Sequence, residues 1–482
     1  MTSNRRTLLC AGIGATAALA SRTNGVTTPV QADPYDRPSV SGEFSCDPNV
    51  RAAAAHDFGH IFNKHPLAVL RPASSADIAS LMRWAKNKGL KVAARGQGHS
   101  TYGRAMAEGG IVIDMSRIST IRAVQSDRVV VDAGATWKSL LEATFAQALT
   151  PPVLTNYLGL SIGGTIAVGG IGGTSSRHGM QTDHVLELDV VTGDGQEVTC
   201  SATSNSDLFD AARAGLGQCG IITRATLRLV RAPERVRRIQ LFYRDLSSLT
   251  ADQRRVLADG RFDHLQGAVL PDGAGGWRYQ LEGAVFYDSD AAPDDKGVLA
   301  GLSDERGAAL ISDLTYRDDT HAFAKLENLL RSNGQWFNPQ PWLLTFLRGS
   351  NAQQVASEIL DRLTNEDIGP FGRIAYYPMS TSAFRTPLVR LPDENVAFPF
   401  NLIRIPASDD VAKKEQMVAQ NRVLYDRIRN AGGTLYPVSA VPMSSDDWRH
   451  HFDSAWQPLR DAMQHYDPAN ILTPGYDLPE RR

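Results

Sequence analysis

Residues 94–100 read ARGQGHS, and this short glycine-rich stretch decides the fold of the chain. Further along, a second stretch carries six glycines between Gly163 and Gly173. Glycine has no Cβ, so at such places a backbone can approach a flat or charged ligand closely. Two stretches so far apart in sequence predict a large cofactor that is held from two sides. His99 lies inside the first stretch, where its side chain could reach that cofactor.

Neither stretch fits the common nucleotide-binding patterns. The sequence contains no G-x-x-x-x-G-K-[ST] motif. Its one run resembling G-x-G-x-x-G does not open a helix that is followed, about 20 residues on, by an acidic residue. The pattern therefore disfavours both a P-loop and a Rossmann domain.

Composition sets further limits. A chain of 482 residues exceeds one typical hydrophobic core and predicts two domains. Its 42% hydrophobic and 21% charged residues are usual for a globular protein. The net charge of -2, without a cluster of Lys and Arg, argues against nucleic acid as a partner. No apolar run reaches about 18 residues, so we expect no membrane span. We expect a monomer.

The N-terminus has a different character. Arg5-Arg6 precede a small, apolar stretch over residues 7–20, with ALA at 18–20 and VQA at 30–32 as alternative cleavage signals. This layout is typical of a twin-arginine export signal, and the alternative is a short basic tail. We predict a signal peptide over residues 1–32, a linker over 33–56, and an extracellular or cell-envelope location.

The chain has four cysteines. Cys10 lies in the predicted signal peptide, and Cys46, Cys200 and Cys219 follow without C-x-x-C or Cys/His metal spacing. We therefore expect buried free thiols and no metal site.

Local patterns predict alternating helices and strands. Ser74 or Ser75 can begin a helix that ends at Gly89, and residues 91–94 then form a strand leading into the first glycine-rich stretch. The same reasoning predicts strands over residues 111–115, 129–133, 186–192, 197–200 and 279–287, and helices from residue 137 to 145 and from 410 to 431. This mixture indicates an α+β fold.

Several segments carry a family resemblance. They are the motif R-G-x-G-H-S, GGT at 163–165, RHG at 177–179, VLELDVVTG at 185–193, LFDAARAGLGQCGIITR at 208–224, YDP at 466–468 and ILTPG at 471–475. Together they resemble flavoenzymes that share the FAD domain of vanillyl-alcohol oxidases, and among these the cytokinin dehydrogenases. The resemblance implies a two-domain α+β flavoprotein. Its FAD-binding domain would cover residues 57–235 and 436–482, and its substrate domain residues 236–435.

The resemblance also implies FAD joined covalently through His99 to the methyl group on the flavin's benzenoid ring. A neutral imidazole is a nucleophile that can add to an electrophilic methyl group. No cysteine is obvious for a second bond, so we expect a single attachment. Further FAD contacts are implied at Ala94, Gly96, Gly98, Ser100, Asn156, Ser161, Ala167, Ile171, Ile222 and Thr473.

The substrate pocket departs from the family. The family pairs an Asp and a Glu near the flavin, and the Asp accepts the N–H of the substrate amine. Glu282 keeps the Glu, but Asn156 stands where the Asp is expected, and a neutral amide cannot act as a base near pH 7. Tyr476 replaces a usual Gln. Trp342 matches an aromatic pocket residue, with core packing as the alternative.

The resemblance implies an FAD-dependent amine dehydrogenase or oxidase. It would remove hydride from the carbon next to an amine of an N6-substituted adenine or a similar small molecule, and pass the electrons to a quinone or O₂. Two alternatives remain open. One is oxidation of an alcohol on a secondary metabolite, with Glu282 or a Tyr as base. The other is a flavin-bearing binding protein with little turnover.

Overall fold

The computed structural model describes residues 37–478. Three main β-sheets, connected by helices, build the molecule. The mixture of segregated helices and mostly antiparallel strands confirms the α+β prediction. The predicted signal peptide, residues 1–32, lies outside the described residues.

The first sheet has four strands in the order β1-β2-β4-β3. Their bounds are β1 Glu43–Ser45, β2 Ala68–Arg71, β3 Val92–Arg95 and β4 Ile111–Asp114. β4 runs parallel to both β2 and β3, and β1 is antiparallel to β2. Helix α1 spans Pro48–Ala53, and helix α2, Ser75–Lys88, connects β2 to β3. Residues 96–100 follow directly from β3, so this sheet positions the first glycine-rich stretch.

Helix α2 shows why the local prediction was right. Ser74 occupies the N-cap in an extended conformation, and Gly89 ends the helix with a φ of 64°, which favours glycine. The apolar positions bury one face against the sheet: Ile78, Leu81, Met82 and Ala85. The Asp77 carboxylate accepts hydrogen bonds from the backbone N–H groups of Ser41 and Gly42, so it also fixes the preceding segment.

That preceding segment differs from the prediction. Residues 33–56 were expected to be linker, but residues 43–45 form β1 and residues 48–53 form α1. Phe44 packs edge-on against Trp84 with 5.8 Å between ring centroids, so a tertiary contact orders a segment of loop-like composition. The expectation of a free thiol was also wrong for Cys46, which is half-buried at the end of β1 and disulfide-bonded. Cys200 and Cys219 are buried, and burial raises the pKa of Cys200 to about 12.

The second sheet has five strands in the order β5-β6-β10-β8-β9. Strands β5 Ile121–Val124, β6 Arg128–Asp132, β8 Val185–Thr192, β9 Glu197–Ser201 and β10 Gly220–Arg228 form it, while β7 Leu149–Thr150 pairs with β11 Val230–Arg231. Helices α3 Trp137–Phe145, α4 Ile162–Ile166, α5 Ser175–His178 and α6 Ser206–Ala212 belong to this region. Helix α4 lies within the second glycine-rich stretch and packs against β10.

The third sheet is antiparallel and has nine strands, in the order β15-β12-β14-β13-β17-β19-β16-β20 with β18 beside β19. The bounds are β12 Arg235–Tyr243, β13 His264–Pro271, β14 Trp277–Tyr287, β15 Leu310–Thr315, β16 Leu343–Arg348, β17 Arg373–Tyr376, β18 Met379–Ser380, β19 Val396–Ile403 and β20 Thr434–Leu435. Helices α7 Leu246–Asp259, α8 Asp295–Val298, α9 Tyr316–Thr320, α10 Phe323–Ser332, α11 Ala352–Leu360, α12 Asn365–Ile368 and α13 Val411–Asn430 accompany it.

The two faces of the third sheet have different chemistry, because side chains alternate along a strand. One face forms an apolar core with helices α7, α11 and α13, and includes Leu265, Leu281, Ile374, Phe400 and Leu402. The other face carries polar residues on neighbouring strands, among them Gln240, Glu282 and Gln266. This polar face forms one wall of the site described below.

The C-terminal part of the described chain returns to the first two sheets. Helices α14 Ser445–Phe452 and α15 Trp456–Tyr466 pack into the core of the second sheet. Val92 in β3 then donates to the carbonyl of Ile471 (2.7 Å), and the backbone N–H of Thr473 donates to the carbonyl of Val92 (2.8 Å). Short 3-10 turns occur at Met115–Arg117, Gln181–His184, Arg306–Ala308, Gln335–Phe337, Asp453–Ala455 and Pro474–Tyr476.

Between residues 37 and 478, no helix combines the length and the apolar character needed to cross a bilayer. This same part of the chain gathers no group of three or more His, Cys, Asp or Glu side chains that could hold a metal ion.

Candidate active site

A cavity of about 760 Å³ lies where the two glycine-rich stretches meet the polar face of the third sheet. The structure places every site residue predicted from the sequence on its wall: Ala94, Gly96, Gly98, His99, Ser100, Asn156, Ser161, Ala167, Ile171, Ile222, Glu282, Trp342 and Thr473. Residues from three separate parts of the chain thus face one space.

The first glycine-rich stretch is held by Asp57 and its neighbours. The backbone N–H of Phe58 donates to the carbonyl of Gly98 (2.8 Å). The Asp57 carboxylate accepts from the Ser100 hydroxyl (2.8 Å) and from the backbone N–H of Gly103 (2.6 Å). Burial raises the pKa of Asp57 to about 6, although these hydrogen bonds and Arg95 favour the ionised form. Sequence reasoning missed this role, because it depends on long-range contacts.

The two glycine-rich stretches meet at Ser161. A Cβ on Gly96 would lie 1.9 Å from the Ser161 hydroxyl oxygen, and one on Gly164 would lie 2.7 Å from the same atom. Real Cβ atoms essentially never come this close to another atom, so only glycine fits at these two positions. The absence of a side chain at Gly96 and Gly164 thus lets the two stretches pack closely around Ser161, and all three residues line the cavity.

The imidazole of His99 lies among aromatic rings. It stacks on Phe58 with 3.9 Å between centroids, and it contacts Tyr157, Trp336 and Trp342 at 4.9, 5.8 and 5.9 Å. Burial, with a smaller contribution from the positive charge of Arg331, lowers the pKa of His99 to about 3. The ring is therefore neutral at physiological pH, which is the nucleophilic form.

Trp342 has both of the roles considered for it. Its indole lines the cavity and packs near-perpendicular to His99, and its Nε1–H donates to the Gln340 side chain (3.2 Å). This contact fixes the ring, so the same residue supports the core and shapes the pocket.

Asn156 and Glu282 meet at Gln266. In the third sheet, Glu282 on β14 lies directly opposite Gln240 on β12 and Gln266 on β13. The Asn156 amide Nδ2 donates to the Gln266 side-chain oxygen (3.3 Å). Within the described part of the chain, no side chain hydrogen-bonds to the Glu282 carboxylate. Gln266 was missed from the sequence, although the alternation of polar residues along β13 was a signal for it.

Further residues extend this polar wall. Tyr377 follows β17 and hydrogen-bonds to Gln266, and burial raises its pKa to about 12, so its hydroxyl stays protonated. His264 presses its imidazole against Gly173, where an added Cβ would lie 2.1 Å from the ring. Arg238 is neutralised by an ion pair with Asp319 (2.6 Å). The sequence prediction identified none of these residues.

The glycine-lined walls and the buried, neutral histidine fit FAD, and a sequence profile for the FAD-binding domain matches residues 66–201. The protein is therefore a flavoprotein. A second profile, described as "Cytokinin dehydrogenase 1, FAD and cytokinin binding", matches residues 270–478. With the similar proteins described next, this shows that the chain belongs to the cytokinin dehydrogenase family and is an FAD-dependent oxidoreductase.

Similar proteins occur in bacteria and plants. The chain is 40% identical over 439 residues to an "uncharacterized oxidoreductase ORF5 in fasciation locus" of Rhodococcoides fascians, covering 91% of this chain and 99% of that protein. It is 35% identical over 504 residues to cytokinin dehydrogenase 10 of Oryza sativa subsp. japonica, covering 94% and 91%. Cytokinin dehydrogenase 4 of Arabidopsis thaliana is 32% identical over 480 residues, covering 90% and 91%.

Proposed function

We propose that the enzyme acts as the dehydrogenase for which its plant relatives are named, and that it removes hydride from the carbon next to the amine of an N6-substituted adenine. The observation that carries this proposal is the meeting of Asn156 and Glu282 at Gln266, in the same cavity as His99. When bound, FAD supplies the hydride acceptor. The imine formed on the substrate would hydrolyse to an aldehyde and a free amine, and a quinone or O₂ would reoxidise the cofactor.

The protein side chains have separate tasks in this proposal. Asn156 uses its Nδ2–H to donate to Gln266, which leaves its amide oxygen to accept the N–H of the substrate amine. Glu282, free of hydrogen bonds from other side chains, is the carboxylate that can take up the proton. The aromatic rings around His99 keep water away from the reacting atoms.

We also propose that His99 carries the flavin through a covalent bond to its benzenoid methyl group. The neutral state of the imidazole and its fixed orientation against Phe58 support this. Such a bond would hold the ring in place and favour hydride removal from an unactivated carbon.

Alcohol oxidation remains the second candidate. Asn156 supports it, because an amide in place of the expected carboxylate suits a substrate without an amine N–H. Glu282 would then be the base. The alternative base, Tyr377, would have to lose its proton first, and its raised pKa makes the phenolate form unfavourable.

The discriminating experiment is anaerobic stopped-flow mixing of the enzyme with N6-alkylated adenines and with a panel of alcohols. Bleaching of the flavin by N6-isopentenyl adenine supports the amine reaction, and bleaching only by alcohols supports the second candidate. A protein whose flavin spectrum shifts with ligands but never bleaches would be the binding protein considered from the sequence.

We propose, finally, that the enzyme is exported by the twin-arginine route. Arg5-Arg6 and the apolar stretch behind them support this. Export of a folded protein suits an enzyme that must bind FAD before it leaves the cytoplasm.

A further inference from the structure

A buried arginine, Arg104, lines the cavity without a matching negative charge. The residue is only 5% exposed, and no carboxylate in the described part of the chain forms an ion pair with it. The nearest acidic groups, Asp57 and Asp477, act on it only through longer-range attraction. Moving a charge without a partner from water into a protein interior costs free energy, which a negatively charged ligand in the cavity could offset.

The surroundings hold the guanidinium without neutralising it. Three aromatic rings lie close to its central carbon: Tyr476 at 4.9 Å, Tyr102 at 5.0 Å and Trp448 at 5.5 Å. The faces of such rings attract a cation but carry no net charge. The guanidinium also donates to the carbonyls of Gly475 (3.1 Å) and Val441 (3.2 Å), while its Nε–H has no hydrogen-bond partner.

Tyr476 connects this arrangement with the departure seen in the sequence. The family resemblance predicts a Gln at this position, and here a ring stands against the Arg104 guanidinium instead. The Trp448 indole N–H donates to the backbone carbonyl of Tyr476 (2.9 Å), and the Trp448 ring packs edge-on against the Tyr476 ring with 5.7 Å between centroids, so both the backbone and the ring of Tyr476 are held. The cation and the ring that holds it thus form one unit on the cavity wall.

Other arginines on the wall differ from Arg104. Arg238 is paired with Asp319 and contributes little net charge to the cavity. Arg373 is unpaired but partly exposed, so solvent screens it. Arg104 is therefore the positive charge whose field is screened least, since a low-dielectric environment strengthens the interaction with a neighbouring charge.

We propose that Arg104 stabilises the negative charge that the flavin gains on reduction, and that it thereby raises the reduction potential of the enzyme. A hydride brings two electrons and one proton from the substrate carbon, so the ring gains one negative charge. A fixed cation at the wall meets that charge without reorganising. The proposal rests on FAD in this cavity, which the family assigns, and not on the identity of the substrate.

The test is the midpoint potential of the bound flavin, measured by equilibration with reference dyes during chemical reduction without an amine or alcohol substrate. Arg104→Gln removes the charge and keeps hydrogen-bonding groups, Arg104→Lys keeps the charge, and Arg128→Gln is an exposed control. We expect Arg104→Gln to lower the equilibrium constant for flavin reduction about tenfold. For a two-electron reduction, this corresponds to a fall of about 30 mV in the midpoint potential. Arg104→Lys should retain most of the wild-type potential, and the control all of it.

Three results with flavin-loaded Arg104→Gln would overturn the proposal. The first is an unchanged potential in flavin-loaded Arg104→Gln. The second is an equal fall in the Lys and Gln variants, which would indicate a structural role for the guanidinium geometry. The third is weaker FAD binding at an unchanged potential, which would assign the cation to the diphosphate. If Arg104→Gln binds no flavin, Arg104→Lys decides: a retained potential supports the proposal, and a tenfold loss refutes it. Because no substrate is used, the outcome is independent of the amine-oxidation proposal.

Discussion

The ring of Phe58 lies face to face with the imidazole of His99, with 3.9 Å between centroids and 22° between planes. Phe58 is itself held edge-on by Trp342 at 5.3 Å. This packing leaves His99 few orientations, and a nucleophile that is already oriented reacts faster than one that must search for its geometry. The stack would therefore couple the packing of the cavity to the covalent attachment proposed for His99.

Replacing His99 with Ala should leave only flavin that acid precipitation releases. Phe58→Ala should still bind FAD but attach it about tenfold more slowly, because the imidazole loses its orientation. The measurement is the flavin absorbance of acid-precipitated protein against time after FAD is added to apoprotein. Phe337→Ala, at an exposed ring, is the control and should behave as wild type. Wild-type protein that releases all its flavin to acid would refute the covalent bond.

Gly96→Ala should weaken FAD binding and lower stability by about 1–3 kcal/mol, because the new methyl group collides with Ser161. Adding Ser161→Gly should restore part of both, since it removes the colliding atoms. Thermal unfolding and the flavin-to-protein absorbance ratio report the two effects. Gly307→Ala, where a Cβ meets nothing within 4 Å, is the matched control. A Gly96→Ala protein with wild-type flavin content would show that the close approach is dispensable.

Asn156→Asp should accelerate flavin reduction by N6-isopentenyl adenine by about 10- to 100-fold, the range for restoring a positioned base. If the substrate is an alcohol, the same change should lower activity, because a second carboxylate near Glu282 raises the pKa of one of them. Glu282→Gln should impair the reaction in either case, whereas the exposed Glu187→Gln should not. Unchanged reduction rates in both pocket variants on every substrate would show that this pair is not catalytic.

Asp57→Asn should change how stability depends on pH. The folded-state pKa of Asp57 is raised from its ordinary value to about 6, so its protonated form favours the fold below about pH 4. That contribution is lost as the pH rises through 6. Relative to the variant, wild type should therefore lose about 2.4 kcal/mol between pH 4 and pH 7.

The measurement is chemical unfolding of both proteins across this pH range. The buried histidines occur in both chains, so their titration cancels in the difference. Asp453→Asn, at an exposed carboxylate, should leave the pH profile unchanged. Parallel profiles for wild type and Asp57→Asn would show that Asp57 does not titrate as proposed.

Replacing Arg5 and Arg6 with Lys should keep the protein in the cytoplasm with its N-terminal segment uncleaved. Fractionation followed by mass spectrometry of the N-terminus checks both points. A doubly substituted protein that still appears outside the cytoplasm in processed form would exclude the twin-arginine route.

Local sequence patterns predicted the secondary structure well. The start of α2 near Ser75 and its end at Gly89 follow from capping and periodicity, which act within a few residues. The residues facing the cavity came from the family resemblance, because no local rule brings residues 94–100 and 163–173 together.

Other features could not be read from the sequence. Asp57 acts through residues more than 40 positions away, and the Asn156–Gln266 contact joins a loop to a distant strand. Strand β1 is ordered by the packing of Phe44 against Trp84, although the composition of the surrounding segment is typical of a linker. Such contacts join residues that are far apart in the sequence. Patterns within a short stretch of sequence therefore cannot predict them.

The pairing of Val92 with Ile471 and Thr473 has a consequence for biosynthesis. The ribosome makes the part of the cavity wall that contains His99 early, but Thr473 and Tyr476, which line the same cavity, emerge only after the whole third sheet has been translated. Domains commonly fold as they emerge during translation. Here the wall of the cavity is complete only when residues 471–476 are available, so we expect the chain to capture its cofactor at the end of synthesis or after it.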